Sequence, residues 1–135
     1  MNSFVLHPQL EKDCFPVCDL DLCRVLLMND SNYPWCILVP RLNDVREVYE
    51  LSERDQQQLA RESAQLSRAM MKHFKGDKMN VAALGNVVPQ LHVHHVVRKQ
   101  DDPAWPKPVW GQVQAIAYKE DSAAEICKIL AGVLG

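Results

Sequence analysis

Apolar residues recur along the chain at spacings that predict a mixture of strands and helices. Two apolar runs of strand length, 23–28 and 36–39, flank the turn-forming segment 29–34, and this arrangement predicts a β-hairpin. The twenty residues before the hairpin are broken by two prolines and predict an irregular or helical lead-in. The first strand is therefore expected near residue 23.

A long helix is predicted after a loop that spans residues 43–51 and contains one helical turn. Ser52 and Asp55 can bind the free N–H groups of its first turn, and Gly76 is placed to end it. Apolar side chains repeat near the helical period between these limits and are expected to face the core. They are Leu59, Leu66, Met70 and Phe74.

Three further strands are predicted at 79–84, 91–98 and 113–118, the last from its period-two alternation. Residues 122–125, Ser-Ala-Ala-Glu, have the form of a capping box, which predicts the start of a C-terminal helix. Its expected apolar stripe consists of Ile126, Ile129, Leu130, Val133 and Leu134. This order of elements predicts an α+β fold, in which one long and one C-terminal helix pack on an antiparallel sheet of about five strands.

Length and composition predict one globular domain over residues 1–135. The chain is 47% hydrophobic and 24% charged, and at this size one core needs no disulfide support. A net charge of −2 without a run of Lys or Arg disfavours nucleic-acid binding. Because the N-terminus lacks the pattern of a signal peptide and no segment is apolar enough to span a bilayer, no membrane association is expected and the expected location is the cytoplasm.

Five cysteines, an odd number, favour reduced thiols. They are Cys14, Cys18, Cys23, Cys36 and Cys127. The first three are separated by three and four residues, which is not the C-x-x-C spacing typical of structural zinc. Buried thiols that pack as small apolar groups are therefore favoured over a zinc site.

Three of the five histidines lie within four residues, at His92, His94 and His95. In a strand, alternation places Gln90, His92 and His94 on one face and His95 on the other, apolar face. Three interpretations fit this row: surface histidines on a half-exposed strand, a metal site shared by two imidazoles, or a nucleophilic histidine with polar support. No acidic residue or cysteine lies in obvious register to complete a metal site.

The segment Gln90-Leu-His-Val-His-His-Val-Val97 resembles the motif His-x-His-x-His-x-x, with x apolar, of the histidine triad (HIT) family. Residues 27–41 resemble the strand–turn–strand that cradles the nucleoside in that family. Residues 101–111 resemble the tail of a bacterial branch described as diadenosine tetraphosphate hydrolase-like. The resemblance extends from about residue 20 to 111, and it implies a homodimer of HIT-like α+β fold that binds purine nucleotides.

The resemblance also implies a role for each motif residue. His92 would attack the α-phosphorus of a dinucleoside polyphosphate or nucleoside phosphoramidate, and water would hydrolyse the nucleotidyl-histidine. The main-chain carbonyl of His94 would accept the other N–H of His92, and the His94 side chain would contact the phosphate or leaving group. Gln90 replaces the first motif histidine. Nucleotide contacts are expected from Asn29, Asp30, Asn80 and Asn86, and the chemistry requires no metal or cofactor.

Two departures from the family pattern predict altered or reduced activity. Gln90 keeps a hydrogen-bond donor and acceptor but cannot titrate. Val87 occupies a place where many relatives carry a Ser or Thr that donates to the phosphate. His95, at a usually apolar place, is interpreted as a tolerated substitution. The predicted function is thus a nucleotidyl hydrolase or transferase, with a catalytically impaired nucleotide-binding module as the alternative.

The tail that follows the motif has two interpretations. Trp105 and Trp110, among three prolines, either pack over the sheet as an irregular segment or border the nucleotide pocket and shape its leaving-group side. Asp101 and Asp102 are predicted to form a turn or to be solvated charges rather than catalytic acids.

Overall fold

A five-stranded antiparallel sheet forms the centre of the computed structural model, which describes residues 3–135. In chain order the strands are β1 (Cys14–Asp19), β2 (Cys23–Met28), β3 (Trp35–Pro40), β4 (Lys78–Ala82) and β5 (Val93–Arg98). Across the sheet they lie in the order β1, β2, β3, β5, β4. The helices are α1 (Pro8–Asp13), α2 (Glu53–Phe74) and α3 (Glu120–Leu134), with a 3₁₀ turn at Val48–Glu50.

The predicted α+β fold is confirmed, together with the β2–β3 hairpin, the helical turn before α2 and the two long helices. The strand β4 ends two residues earlier than predicted, and β5 begins two residues later. Residues 83, 84, 91 and 92 leave the ladder, and the segment between the two strands forms a loop beside the end of β5. This loop lines a cavity beside the beginning of β5.

The lead-in before residue 23 contains a strand, β1, that was not predicted from the sequence. It pairs antiparallel with β2 at one edge of the sheet, and its register shifts between Pro16 and Cys18. Proline supplies no N–H for a ladder, so it is tolerated in an edge strand or at a bulge. Pro16 lies in an edge strand and next to a bulge. The proline was therefore a sign of an edge strand rather than of an irregular segment.

The strand predicted at 113–118 is wrong, because these residues form an irregular and mostly exposed segment. Its backbone is held by the turn after β2 instead of by a neighbouring strand. The Oδ1 atoms of Asn29 and Asp30 accept the N–H groups of Tyr118 and Ile116, at 2.8 and 3.3 Å. The period-two alternation of this segment accompanies side-chain-to-backbone hydrogen bonds, not a ladder.

Helix α2 begins and ends close to the predicted residues. Ser52 Oγ accepts the N–H of Asp55 at 3.1 Å, as a capping side chain does. The left-handed residue after the helix is Lys75, with φ of 53°, and Gly76 follows it. A Cβ atom on Gly76 would collide with Val97, so the glycine permits a close approach of the helix end to β5.

The capping box predicted for α3 is wrong. The helix begins at Glu120, so its N-cap is Lys119, three residues before Ser122, and Lys119 makes no side-chain hydrogen bond. Its buried face also differs from the predicted stripe: Val133 is 62% exposed, while Ala123 is buried beside Leu130 and Leu134. No helix within residues 3–135 is long and apolar enough to cross a membrane.

Both faces of the sheet are covered, and each has its own apolar cluster. The helices α2 and α3 cover one face, with Leu66, Met70 and Leu130 at its centre. The other face carries Ile37 and Val96 and is covered by α1 and by Ala104 and Val109 of the tail. The candidate site lies on this second face, so the tail helps to enclose it.

A buried carboxylate joins α2 to the turn between β1 and β2. Glu62 is buried among apolar residues, and its two oxygens accept the N–H groups of Leu22 and Cys23 at 2.9 and 2.8 Å. Gln58 donates a further hydrogen bond to it. These contacts compensate the loss of hydration that a buried carboxylate suffers.

Candidate functional site

Two histidine rings lie side by side at the beginning of β5, on the sheet face opposite α2 and α3. His92 immediately precedes the strand and His94 is its second residue. Their ring centroids are 4.9 Å apart at an angle of 74°, and both residues are buried. The structure therefore brings together the two histidines that strand alternation placed on one face.

The imidazole of His92 is held by the backbone. Its Nδ1 lies 2.7 Å from the carbonyl oxygen of Gln90. Because a carbonyl can only accept, Nδ1 carries the proton and Nε2 of the neutral ring keeps its lone pair. The prediction that the carbonyl of His94 accepts this hydrogen bond from His92 is wrong. His94 pairs with Ile37 and Ala82 on both sides, so its carbonyl lies in the plane of the sheet, whereas Gln90 precedes the strand.

The imidazole of His94 is held by a tryptophan. Trp35 Nε1 donates to His94 Nδ1 at 3.0 Å, and the two rings meet edge to face with centroids 5.7 Å apart. Burial, and then the neighbouring His92 and His95, lower the pKa of His94 to about 4. His94 is therefore neutral at physiological pH. No individual role is predicted for Trp35 from the sequence, since nothing in the spacing of residues links β3 to β5.

A cavity of about 340 Å³ is lined by His92 and His94. Its other walls are the loop 84–88, which connects β4 to the approach of β5, and the indole of Trp110. Gly85 adopts a φ of 81° in this loop, a conformation that favours glycine. The side chain of Val87 is 89% exposed at the rim, and as an apolar group it offers no hydrogen bond to an occupant.

Of the predicted nucleotide-binding residues, Asn86 lines the cavity beside the two histidines. Asn29 and Asp30 line a neighbouring cavity of about 360 Å³ together with Trp35. Trp35 also contacts His94, which lines the first cavity, so its indole lies between His94 and the cavity of Asn29 and Asp30. Asn29 and Asp30 already accept hydrogen bonds from the segment 116–118, so each has only part of its hydrogen-bonding capacity left.

Gln90 does not join the row of His92 and His94, and that part of the prediction is wrong. Its Oε1 accepts the N–H of His7 at 2.8 Å, and its Nε2 donates to the carbonyl of Val5 at 2.9 Å. The side chain thus binds the N-terminal segment, in a separate cavity of about 660 Å³. The cause is that Gln90 lies before β5, where strand alternation does not apply.

Comparison with known proteins identifies the family. The sequence matches the model of the HIT domain over residues 9–101, which include His92 and His94. The chain belongs to the HIT family. No curated protein matched it.

Solved HIT structures are similar over almost the whole chain. A histidine triad protein from Marinobacter aquaeolei VT8 is 53% identical with a TM-score of 0.94, covering 98% of this chain and 97% of its own. One from Bradyrhizobium japonicum is 42% identical with a TM-score of 0.96, covering 99% and 100%. One from Sinorhizobium meliloti 1021 is 40% identical with a TM-score of 0.93, covering 96% of each chain.

His95 of the HIT motif lies on the opposite face, as predicted, but it is not a passive substitution. It is fully buried, its Nδ1 lies 3.0 Å from the carbonyl oxygen of Val93, and its Nε2 lies 2.7 Å from Ser63 Oγ. The carbonyl fixes the proton on Nδ1, so Nε2 accepts from the hydroxyl of Ser63. Burial lowers the pKa of His95 to about 4, against the opposing effect of the Val93 carbonyl.

The low pKa values of His94 and His95 predict that the HIT protein is sensitive to acid. The unfolded chain takes up these protons near the usual pKa of 6.5, whereas the folded chain takes them up only near 4. Their contribution to stability is therefore complete above pH 6.5 and is lost as the pH falls toward 4. Each group contributes a slope of up to about 1.4 kcal/mol per pH unit in that window.

Urea unfolding at pH 7.5, 6.0 and 5.0 measures this slope in the wild type, in His95→Gln and in His73→Gln. The glutamine at position 95 cannot titrate, so its slope is expected to be shallower. His73→Gln, at an exposed position of α2, controls for the removal of a histidine. Equal slopes for His95→Gln and the wild type would contradict the prediction.

The two tryptophans of the tail have different places in the HIT protein, one at the cavity and one packed over the sheet. Trp110 borders the cavity, with its ring centroid 5.1 Å from that of His94 and 5.7 Å from that of Trp35. Trp105 instead packs over the guanidinium of Arg98, 5.7 Å from the ring centroid. One tryptophan of the tail thus belongs to the site and the other to the packing of the sheet.

A buried ion pair anchors this tail. The Nε of Arg98 lies 2.8 Å from an Asp102 oxygen, and the side chains are only 2% and 7% exposed. Asp102 also accepts the N–H groups of Lys99, Ala104 and Trp105, which makes it the predicted turn former. The Nη1 of Arg98 donates to Asn80 Oδ1 at 2.9 Å, so the expected nucleotide contact of Asn80 has a structural partner already.

The five cysteines are free thiols. Burial raises the pKa of Cys14 to about 12, and it also raises those of Cys23 and Cys36, which keeps these thiols protonated. Within the described part of the chain, no group of three or more His, Cys, Asp or Glu side chains is arranged to hold a metal ion.

Proposed function

We propose that this HIT protein cleaves dinucleoside polyphosphates or nucleoside phosphoramidates at the α-phosphate through a nucleotidyl-histidine intermediate. The observation that carries the proposal is the hydrogen bond from His92 Nδ1 to the carbonyl of Gln90. It leaves the Nε2 lone pair of a buried imidazole next to a cavity of a size suited to a small ligand. The proposed ligand is a purine nucleotide, and the assembly that the family resemblance implies is a homodimer in the cytoplasm.

The proposed reaction has two steps. In the first, Nε2 of His92 forms a bond to the α-phosphorus as the bond to the leaving group breaks; the leaving group departs with the electron pair, a phosphate as its anion and an amine after it takes a proton from solvent. In the second, a water oxygen bonds to phosphorus and releases a proton to solvent, the N–P bond breaks with its electron pair returning to Nε2 of His92, and a nucleoside monophosphate is released. His94 and Asn86 line the same cavity and supply hydrogen bonds to the phosphate oxygens or the leaving group.

The remaining proposed residues act from outside this cavity. Gln90 contributes through its main-chain carbonyl, which orients His92. Asn29 and Asp30 lie on the other side of Trp35, in a neighbouring cavity that suits the ribose hydroxyls of a bound nucleoside. Asn80 assists indirectly, since its amide oxygen is bound to Arg98.

A catalytically impaired nucleotide-binding module is the second candidate. It is favoured by Val87, which stands exposed at the rim of the cavity without a hydroxyl, and by Gln90, whose amide is bound to the N-terminal segment. A phosphate donor that is absent from the transition state costs on the order of 10²-fold in rate where that donor matters.

Rapid quenching at alkaline pH followed by peptide mass spectrometry tests the proposal and separates the two candidates. The protein is incubated with adenosine 5′-phosphoramidate and with a series of diadenosine polyphosphates. Trypsin then releases residues 79–98 as one peptide, because Lys78 and Arg98 flank a segment without Lys or Arg. The expected result is AMP formation and an adenylate mass on His92 within that peptide. Nucleotide binding by calorimetry without turnover of any substrate would favour the binding module and overturn the enzyme.

A further inference from the structure

The inner partner of His94 decides which of its two nitrogens carries the proton. Trp35 Nε1 lies 3.0 Å from His94 Nδ1, and both residues are buried. An indole N–H can only donate a hydrogen bond. His94 Nδ1 must therefore accept, which leaves the proton of the neutral ring on Nε2.

The outer nitrogen of His94 is available to a ligand. The described residues provide no hydrogen-bond partner for Nε2 of His94. This atom is also not one of the completely buried polar atoms that lack a partner, so it keeps some accessible surface. Since His94 lines the cavity with His92, the Nε2–H group is accessible to the cavity's occupant. His92 has the opposite tautomer, because its Nδ1 donates to a carbonyl. The two neighbouring rings thus present different chemistry: a lone pair on His92 and an N–H on His94.

We propose that Trp35 is a positioning residue that fixes His94 as the Nε2–H tautomer, so that a neutral imidazole donates a hydrogen bond into the cavity. A ring with both nitrogens protonated would direct its Nδ1–H at the indole N–H, and two donors would then face each other. The indole therefore opposes the charged ring as well as the other neutral tautomer. The neutral donor selects an occupant that places an acceptor atom at this position and disfavours one that places a hydrogen-bond donor there.

The aromatic surroundings explain why the indole can hold this position. Trp35 is the first residue of β3 and pairs with Val96, two residues beyond His94 on β5. Its ring meets those of Tyr33 and Trp110 edge to face, with centroids 6.3 and 5.7 Å away. Because these rings restrict the indole on two sides, its N–H is preorganised toward Nδ1 of His94.

If the occupant is the nucleotide, which rests on the function proposed above, the Nε2–H of His94 donates to a phosphate oxygen or to the leaving group. Trp35 then affects the reaction only through His94. Loss of the indole N–H is expected to lower kcat by about 10- to 100-fold, as for a preorganised donor that acts in the transition state. The effect on KM is expected to be smaller.

Nitrogen-15 NMR of the histidine side chains tests the inference without any substrate. In the wild type at pH 7, His94 Nδ1 is expected at the chemical shift of an unprotonated nitrogen and Nε2 at that of a protonated one, with the signals assigned by comparison with His94→Gln. A protonated Nδ1 would overturn the inference. Because this measurement is made on the wild type, it does not depend on the folding of any variant.

Trp35→Phe retains an aromatic ring and removes the N–H group, and Trp105→Phe is the matched control, since Trp105 packs over Arg98 instead of His94. In Trp35→Phe the two nitrogens of His94 are expected to move toward shared, intermediate shifts, whereas Trp105→Phe keeps the wild-type pattern. A pure Nε2–H tautomer in folded Trp35→Phe would overturn the role of Trp35. Absence of turnover in the wild type would refute the proposed function and leave the tautomer measurement valid.

Discussion

Replacement of His92 by alanine is expected to lower turnover by about 10³-fold or more, because it removes the proposed nucleophile and with it the covalent intermediate. The ring contributes little to the apolar core, and its main hydrogen bond is to the carbonyl of Gln90 just before β5. Water can reach that carbonyl once the ring is gone. The variant is therefore expected to fold and to retain nucleotide affinity within a few-fold.

Steady-state kinetics, calorimetry and the peptide experiment on the same preparation check this prediction for His92→Ala. The adenylate mass on residues 79–98 should disappear together with turnover. His73→Ala, at an exposed position of α2, is the control for loss of a histidine and should match the wild type. Unchanged turnover in His92→Ala would exclude His92 as the nucleophile.

Replacement of Asp102 by alanine is expected to destabilise the protein by about 3–5 kcal/mol, since it leaves the buried guanidinium of Arg98 without its partner. The same substitution frees the backbone N–H groups of Lys99, Ala104 and Trp105. The tail would lose its anchor, and Trp110 would lose its fixed place beside His94.

Asp101→Ala is the matched control, because the neighbouring aspartate is exposed and its loss should change stability by less than about 0.5 kcal/mol. Urea denaturation at pH 7 measures both variants. Burial opposes ionisation of Asp102, but hydrogen bonds from Arg98 and from the backbone lower its pKa to about 2, against the usual 3.8. Its contribution is thus complete above pH 3.8 and is lost as the pH falls toward 2. Similar stabilities for the two variants would refute the anchoring role.

Periodicity predicted the parts of this fold that depend on burial. The hairpin follows from two apolar runs that flank a turn-forming segment, α2 from apolar residues near the helical period, and the shared face of His92 and His94 from strand alternation. Periodicity failed where side chains bind backbone groups. The segment 113–118 alternates like a strand, yet Asn29 and Asp30 occupy its N–H groups.

The missed polar contacts are of the same kind, although some left a signal in the sequence. Glu62 stands three residues after Leu59 and four before Leu66, so a carboxylate on the buried stripe of α2 indicates a partner for it. His95 is likewise a polar residue at an apolar place, and Ser63 is its partner. Which backbone N–H or hydroxyl meets each group depends on tertiary packing, which spacing does not describe.

Gln90 connects the N-terminal segment to the proposed nucleophile through hydrogen bonds. Its side chain binds Val5 and His7 on both a donor and an acceptor atom, while its own carbonyl orients His92. Displacement of the N-terminal segment by a fused affinity tag, or its removal by proteolysis, would break the two hydrogen bonds that hold the Gln90 side chain, and the Gln90 carbonyl that orients the imidazole would then be less fixed. The position of a tag is therefore a variable of any kinetic assay on this protein, and the two ends of the chain are not equivalent places to attach one.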